Sequence, residues 1–194
     1  MNRFTEEYWD NLYLTGDTDW DIGYVSTPLK EYIDQLKEKS IRVLLPGAGK
    51  GYEAEYLYNN KFHNTFLLDW SGKAIEKFKR RVPDFPKENI IQENFFSHRK
   101  RYNLILEQTF LCSIPIEDRY EYVKQMYNLL YSRGKVVGVL FDYDFGKLYP
   151  PFGGTINDYE KLFAPYFLIK LMDRCYNSIK PRMGRELFFI LQKP

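Results

Sequence analysis

The stretch Ile41 to Tyr52 reads I-R-V-L-L-P-G-A-G-K-G-Y. Val43, Leu44 and Leu45 form an apolar run suited to a buried strand. Pro46 ends it, glycines follow at Gly47, Gly49 and Gly51, and Tyr52 to Leu57 takes up a helical pattern. Strand, glycine turn and helix in this order is how an open α/β sheet holds a nucleotide-like ligand at its carboxyl edge. Glycine adopts backbone angles that other residues resist, and it lets the main chain approach a ligand closely. The chemistry is therefore expected above Gly47.

Working outward, the pattern alternates. Strands are expected at residues 41–45, 64–69, 89–92, 102–107 and 135–141, with helices at 52–59, 72–81 and 117–131, the last closed by Gly134. Such alternation implies a parallel sheet with right-handed crossovers. A helix over 4–14, a polar loop over 15–25 and a helix from Ser26-Thr27-Pro28 to near Lys39 precede it. The end differs. Asp142 to Gly154 is a long loop rich in Gly, Pro and aromatic residues, of the kind that often serves as a lid. A helix capped by Thr155 follows, and then strands at 167–174 and 185–192 with no helix between them. The expected fold is α/β, a mostly parallel seven-stranded sheet with helices on both faces and a C-terminal antiparallel hairpin.

The 194 residues suit a single domain, 1–194, that needs no disulfide or metal staples. With 28 basic and 26 acidic side chains, net charge +2, nothing drives the chain toward nucleic acid or an anionic membrane. Residues 1–10 have no apolar core of a secretory signal, and no apolar run is long enough to span a bilayer. The two cysteines, Cys112 and Cys175, have no metal-ligand spacing. These features predict a cytoplasmic, reduced, metal-free protein; a monomer is the expected state, though none of them fixes it. His63 and His98 read as surface residues without catalytic partners. Rings make up 18% of the chain, enough to line a pocket with some of them.

The glycine turn fails as a phosphate loop, because Lys50 is followed by Gly51 rather than Ser or Thr. It fails as a dinucleotide fingerprint, because the third glycine position is Tyr52. The remaining G-x-G-x-G suits a nucleoside cofactor without phosphates, such as S-adenosylmethionine. Asp69 ends the next strand, where a carboxylate either accepts ribose hydroxyls or caps the turn at Ser71-Gly72. Asn94, Phe95 and Phe96 follow the third strand, as an adenine contact or as ordinary loop packing. Glu107-Gln108 closes the fourth strand, toward the cleft or toward solvent. Trp9, Tyr13 and Trp20 can offer their faces to a sulfonium, or simply staple the first helix down. The basic runs Lys77 to Arg81 and His98 to Arg101 read as solvated surface.

Several motifs together resemble the thiopurine S-methyltransferase family of class I methyltransferases, and within it the branch of halide and thiol methyltransferases. They are Trp9, Tyr13 and Trp20 with D-I-G-Y-V-S-T-P-L, then V-L-L-P-G-A-G-K-G-Y-E, L-L-D-W-S, E-N-F-F, T-F-L-C-S-I-P, R-Y-E-Y-V-K-Q-M-Y-N-L-L and P-P-F-G-G. The resemblance covers nearly the whole chain. It implies a Rossmann-like fold that uses S-adenosyl-L-methionine, with segment 1–38 covering the cofactor. Trp9, Tyr13 and Trp20 fall at the family's cofactor-surrounding rings, Gly47 and Gly49 in its glycine turn, and Asp69 at its ribose acid. Asn94 and Phe95 fall at its adenine pair, and Gln108 at its contact after the fourth strand. Tyr13 replaces a frequent Trp, Asn94 an acid, and Gln108 an Arg or Tyr, so the acceptor is not inherited from either branch.

The expected activity is transfer of a methyl group to a small soft nucleophile (a thiol, thiopurine, halide or related anion) by in-line displacement. No residue is assigned to catalysis itself. The acceptor is expected among Gln108, Phe110, Asp142, Tyr143, Tyr149 and Phe152. The alternatives are a protein that binds S-adenosylmethionine without turnover, and a methyltransferase acting on another small molecule.

Overall fold

A computed structural model describes residues 4–194; residues 1–3, the start of the segment read above as lacking a secretory signal, lie outside the described residues. The elements are α1 (Glu6–Thr15), α2 (Thr27–Asp34), β1 (Val43–Pro46), α3 (Tyr52–Asn59), β2 (Thr65–Asp69), α4 (Gly72–Arg81) and β3 (Ile90–Gln92). They continue with β4 (Tyr102–Gln108), α5 (Arg119–Asn128), β5 (Leu130–Phe141), α6 (Ile156–Phe163), β6 (Leu168–Arg174) and β7 (Glu186–Gln192). The seven strands form one sheet in the order β3-β2-β1-β4-β5-β7-β6. β1 to β5 run parallel, while β7 is antiparallel to both β5 and β6. The order reverses between β1 and β4, and the carboxyl edge there is where ligands bind open α/β sheets.

Strand periodicity divides the core into two layers. Val43 and Leu45 point into one cluster with Leu29, Ile33, Ala54, Leu57, Ile75 and Phe78, which come from α2, α3 and α4. Leu44 points the other way, into a cluster with Tyr122, Val123, Met126 and Phe163 from α5 and α6. Side chains at successive strand positions face opposite sides, so one short apolar run serves both layers. Each large apolar side chain fully buried this way contributes about 1.5–3 kcal/mol.

Three local expectations are corrected. The helix expected to reach Lys39 ends at Asp34, where hydrogen bonding tightens to Gln35 N–H on Tyr32 O and Leu36 N–H on Ile33 O. Beyond Leu36 the apolar periodicity stops, so a further turn has no face to bury. Gly134 does not close α5. The helix ends at Asn128, and Gly134 sits in β5, in a bulge where the pairing skips from Tyr102↔Leu130 to Leu104↔Lys135. A side chain at Gly134 would press on Tyr131 O at 2.9 Å, which explains the glycine. His98 is buried, with Nε2 2.7 Å from the Tyr102 hydroxyl and Nδ1 against Glu93. His63 is exposed.

Candidate active site

Gly47, Gly49 and Gly51 all have positive φ, at 57°, 56° and 67°. The turn therefore coils tightly between β1 and α3, and the main chain lies open above the sheet. A side chain at Gly47 would run into the Phe110 ring, and one at Gly49 would meet the Tyr13 hydroxyl at 2.6 Å. The two glycines leave room for these rings.

Asp69 braces the turn. Its Oδ2 accepts from Gly49 N–H at 2.7 Å and its Oδ1 from Ser71 N–H at 2.8 Å. The two sequence readings of Asp69 are thus not exclusive, since a carboxylate has lone pairs beyond these two bonds. Burial raises its carboxyl to about 6, opposed by the Gly49 and Ser71 N–H groups.

The N-terminal segment closes over the turn. Thr5 caps α1, accepting from Tyr8 N–H at 3.4 Å, and Gly16 ends it in a left-handed conformation. Trp9 and Tyr13, four positions apart, share a face of α1. Trp20, from the following loop, meets both edge-on at 5.9 Å. Asp10 ties the helix down by accepting from Ser71 Oγ at 2.5 Å and Lys73 N–H at 3.0 Å, at the start of α4. Lys77 donates to Tyr13 O, and Lys50 pairs with Asp21.

Between cover and sheet lies a cavity of about 580 Å³, within the range of small-molecule sites. Trp9, Tyr13, Trp20, Gly47, Gly49, Asp69, Asn94, Phe95, Gln108, Phe110 and Tyr149 all line it. Asn94 Oδ1 also accepts from Phe96 N–H at 2.9 Å, and Phe95 is buried against Phe110 and Tyr122. Gln108 Oε1 is buried with no hydrogen-bond partner among the described residues.

Three expected acceptor residues are placed elsewhere. Asp142 accepts from Ile156 N–H at 3.2 Å at the start of α6, and the Tyr143 ring, outside the lining, lies 5.0 Å from the guanidinium of Arg185, which is in it. Phe152 lies outside the lining, its ring 5.9 Å from Phe4 and its N–H bonded to Cys112 O at 2.7 Å. Phe145, Lys147, Tyr149, Pro150 and Pro151 represent that loop in the lining. At the end of β4 the alternation sends Gln108 to the cavity and Glu107 to the core. Glu107 is fully buried, accepting from Phe110 N–H at 2.7 Å, Leu111 N–H at 3.1 Å and the Tyr122 hydroxyl.

Other lining residues were not legible in the sequence. Phe4 and Tyr8 extend the ring cluster, with centroids 5.1 Å apart. Glu53, Cys112, Arg182 and Arg185 also line the cavity. The Phe4-Tyr8 spacing at the start of the chain was one available signal; Glu53 and Cys112 stand next to the glycine turn and the end of β4, while Arg182 and Arg185 come from the far hairpin. Burial pushes the Cys112 thiol up to about 12, so it stays protonated and is a poor nucleophile. Among the described residues no group of three or more His, Cys, Asp or Glu is placed to share a metal, and no helix is long and apolar enough to cross a membrane.

The residues fit S-adenosylmethionine. Glycines cleared of side chains, a buried acid beside the turn, an amide acceptor without a donor and a cover of rings match its nucleoside, amino-acid and sulfonium parts. Fold and site define a class I S-adenosylmethionine-dependent methyltransferase that acts on small molecules. The fold is shared with the 1,6-didemethyltoxoflavin-N1-methyltransferase of Burkholderia thailandensis, with a TM-score of 0.76 at 15% identity over 97% of this chain and 86% of that one. An S-adenosylmethionine-dependent methyltransferase of Mesorhizobium loti shares it with a TM-score of 0.65 at 12% identity, over 86% and 96% of the chains. The chain belongs to the thiopurine S-methyltransferase family, which it matches over residues 4–188. It is 25% identical to probable thiol methyltransferase 2 of Arabidopsis thaliana, over 96% of this chain and 84% of that one. It is 27% identical to thiocyanate methyltransferase 1 of Brassica oleracea (92% and 81%) and 23% identical to a thiopurine S-methyltransferase of Vibrio vulnificus (93% and 91%).

Proposed function

We propose that this enzyme methylates a small soft nucleophile, a thiol, thiopurine, halide or related anion, by in-line displacement. The observation that carries this reading is the meeting of Trp9, Tyr13 and Trp20 over the glycine turn. When bound, S-adenosylmethionine supplies a methyl group on a positively charged sulfur. The three rings offer that charge their π faces and keep water away from it. Gly47 and Gly49 let the main chain approach the cofactor, Asp69 receives its ribose, and Asn94 and Phe95 receive its adenine. Gln108 Oε1 accepts an N–H from the ligand.

The acceptor wall is built of Phe110, Phe145, Tyr149, Pro150 and Pro151. A wall of rings and prolines with the Lys147 cation beside it orients an anionic acceptor without deprotonating it. A soft anion needs no general base, so the protein's part is proximity, orientation and exclusion of water. The names of the plant relatives, thiol and thiocyanate methyltransferases, support the same class.

We place this activity in a single domain spanning 1–194, with residues 1–38 as the cofactor cover. The enzyme works as a cytoplasmic monomer that binds no nucleic acid; two free cysteines and the near-balance of charge support this setting. The test is a panel of thiols, halides, thiocyanate, thiopurines and oxidised selenium or tellurium anions, read by release of S-adenosylhomocysteine. Small alcohols, phenols and amines are assayed beside them, and turnover with at least one soft nucleophile is expected. Turnover with hydroxyl or amine acceptors alone would overturn the reading.

A further inference from the structure

We infer that Arg182 is a positioning residue for methyl transfer: it fixes the Trp20 main chain, and through it the ring that completes the aromatic cover. The inference rests on the role of the rings argued above.

Trp20 belongs to a loop with no helix or strand to hold it. Its ring meets Trp9 and Tyr13, but its carbonyl needs a separate anchor. Arg182 Nη2 donates to Trp20 O at 2.7 Å, across 162 positions of sequence. Arg182 ends the short turn Lys180–Arg182, between β6 and β7. The antiparallel hairpin at the sheet's end thus reaches back to the cofactor cover.

The guanidinium is itself held from several sides. Nη1 lies 3.4 Å from Glu186 Oε1, and the group sits 5.4 Å from the Phe141 ring centroid. Only 11% of the Arg182 side chain is exposed. Glu53, on α3, is buried too, and accepts from Ser26 N–H at 2.9 Å. Burial raises the carboxyls of Glu53 and Glu186, and the charge of Arg182 opposes that rise at both. One cation therefore serves two buried acids. The planar fork of arginine can reach a carbonyl and a carboxylate together, whereas the single ammonium of lysine supplies the charge without that geometry.

The test is a double-mutant cycle of Arg182→Lys and Trp20→Ala, with dissociation constants for S-adenosylmethionine measured by calorimetry. Arg182→Lys keeps the charge that Glu53 and Glu186 require. In the wild-type background it is expected to weaken cofactor binding roughly tenfold, the scale of a lost charge-assisted hydrogen bond. In the Trp20→Ala background it is expected to change binding by less than about twofold, since the ring it positions is gone. In protein labelled with 5-fluorotryptophan, Arg182→Lys should shift the fluorine resonance of Trp20 and leave that of Trp70 in place. Equal losses in both backgrounds, or an unmoved Trp20 resonance, overturn the inference while the ring cover stands. If Trp20→Ala itself leaves cofactor binding unchanged, the ring cover fails and the inference with it. Should Arg182→Lys not fold, the same cycle is run with Arg182→Gln in a Glu186→Gln background, where the ion pair is already neutral in both arms.

Discussion

The carboxylate of Asp69 accepts the backbone N–H of Gly49 at 2.7 Å, locking the end of β2 to the turn after β1. The same carboxylate holds Ser71 N–H at the start of α4. One buried acid thus fixes the geometry of two loops that line the cavity.

This arrangement has a pH signature. Burial raises the Asp69 carboxyl from 3.8 to about 6, against the lowering by the Gly49, Ser71 and Trp70 N–H groups, and the Asp10 charge adds to the rise. A raised carboxyl binds its proton more tightly in the folded state. Its contribution to folding is complete below 3.8 and is lost as pH rises through about 6. Cofactor affinity runs the other way, because the ionised form is the better acceptor. Calorimetric titration with S-adenosylmethionine should show affinity rising between about pH 5 and 7.5, and Asp69→Asn should flatten that rise.

The rings above the turn are expected to sense charge. Trp9→Ala and Trp20→Ala should each weaken S-adenosylmethionine binding by roughly 0.5–2 kcal/mol. S-adenosylhomocysteine has a neutral sulfur, so its affinity should fall less. Comparing the two ligands by calorimetry checks this; equal losses for both would mean that the rings act by packing alone.

The glycines separate backbone strain from crowding. Gly146 has φ 62° and open space where a side chain would stand, whereas Gly47 has φ 57° and the Phe110 ring. Gly146→Ala should cost about 1–2 kcal/mol in thermal denaturation, from the left-handed backbone alone. Gly47→Ala should cost more, and should also abolish detectable cofactor binding by displacing Phe110.

Glu107 organises the acceptor side from behind. Removing its carboxylate strands the N–H groups of Phe110 and Leu111 and the Tyr122 hydroxyl in a buried site. Glu107→Ala is expected to cost about 3–5 kcal/mol in urea denaturation. Glu107→Gln keeps an acceptor for part of the network and should cost clearly less.

Much of this was readable from the chain because it is local. The alternation of strands and helices, the glycine turn and the Asp69 position all follow from periodicities within about 30 residues, the span of one βαβ unit. Local patterns misled at Gly134, where a glycine after a helix resembled a cap but serves a β5 bulge set by pairing with β4. They left open which residues of the 142–154 loop would line the cavity, since an aromatic loop gives no sign of which residues will face inward: Tyr149 does, whereas Asp142, Tyr143 and Phe152 lie outside the lining. His98 likewise read as surface, and only Tyr102 and Glu93 make it a core residue.

By itself the sequence determined the α/β class, a glycine turn at the carboxyl edge of the sheet and a cofactor with no phosphate to cradle. Those depend on backbone propensity and on the spacing of neighbours. The tertiary structure alone decided which rings meet, which strand-end residue faces the cavity, and how Arg182 reaches Trp20 from the far hairpin. Such contacts join residues far apart in the chain, through distances and burial that no local spacing encodes.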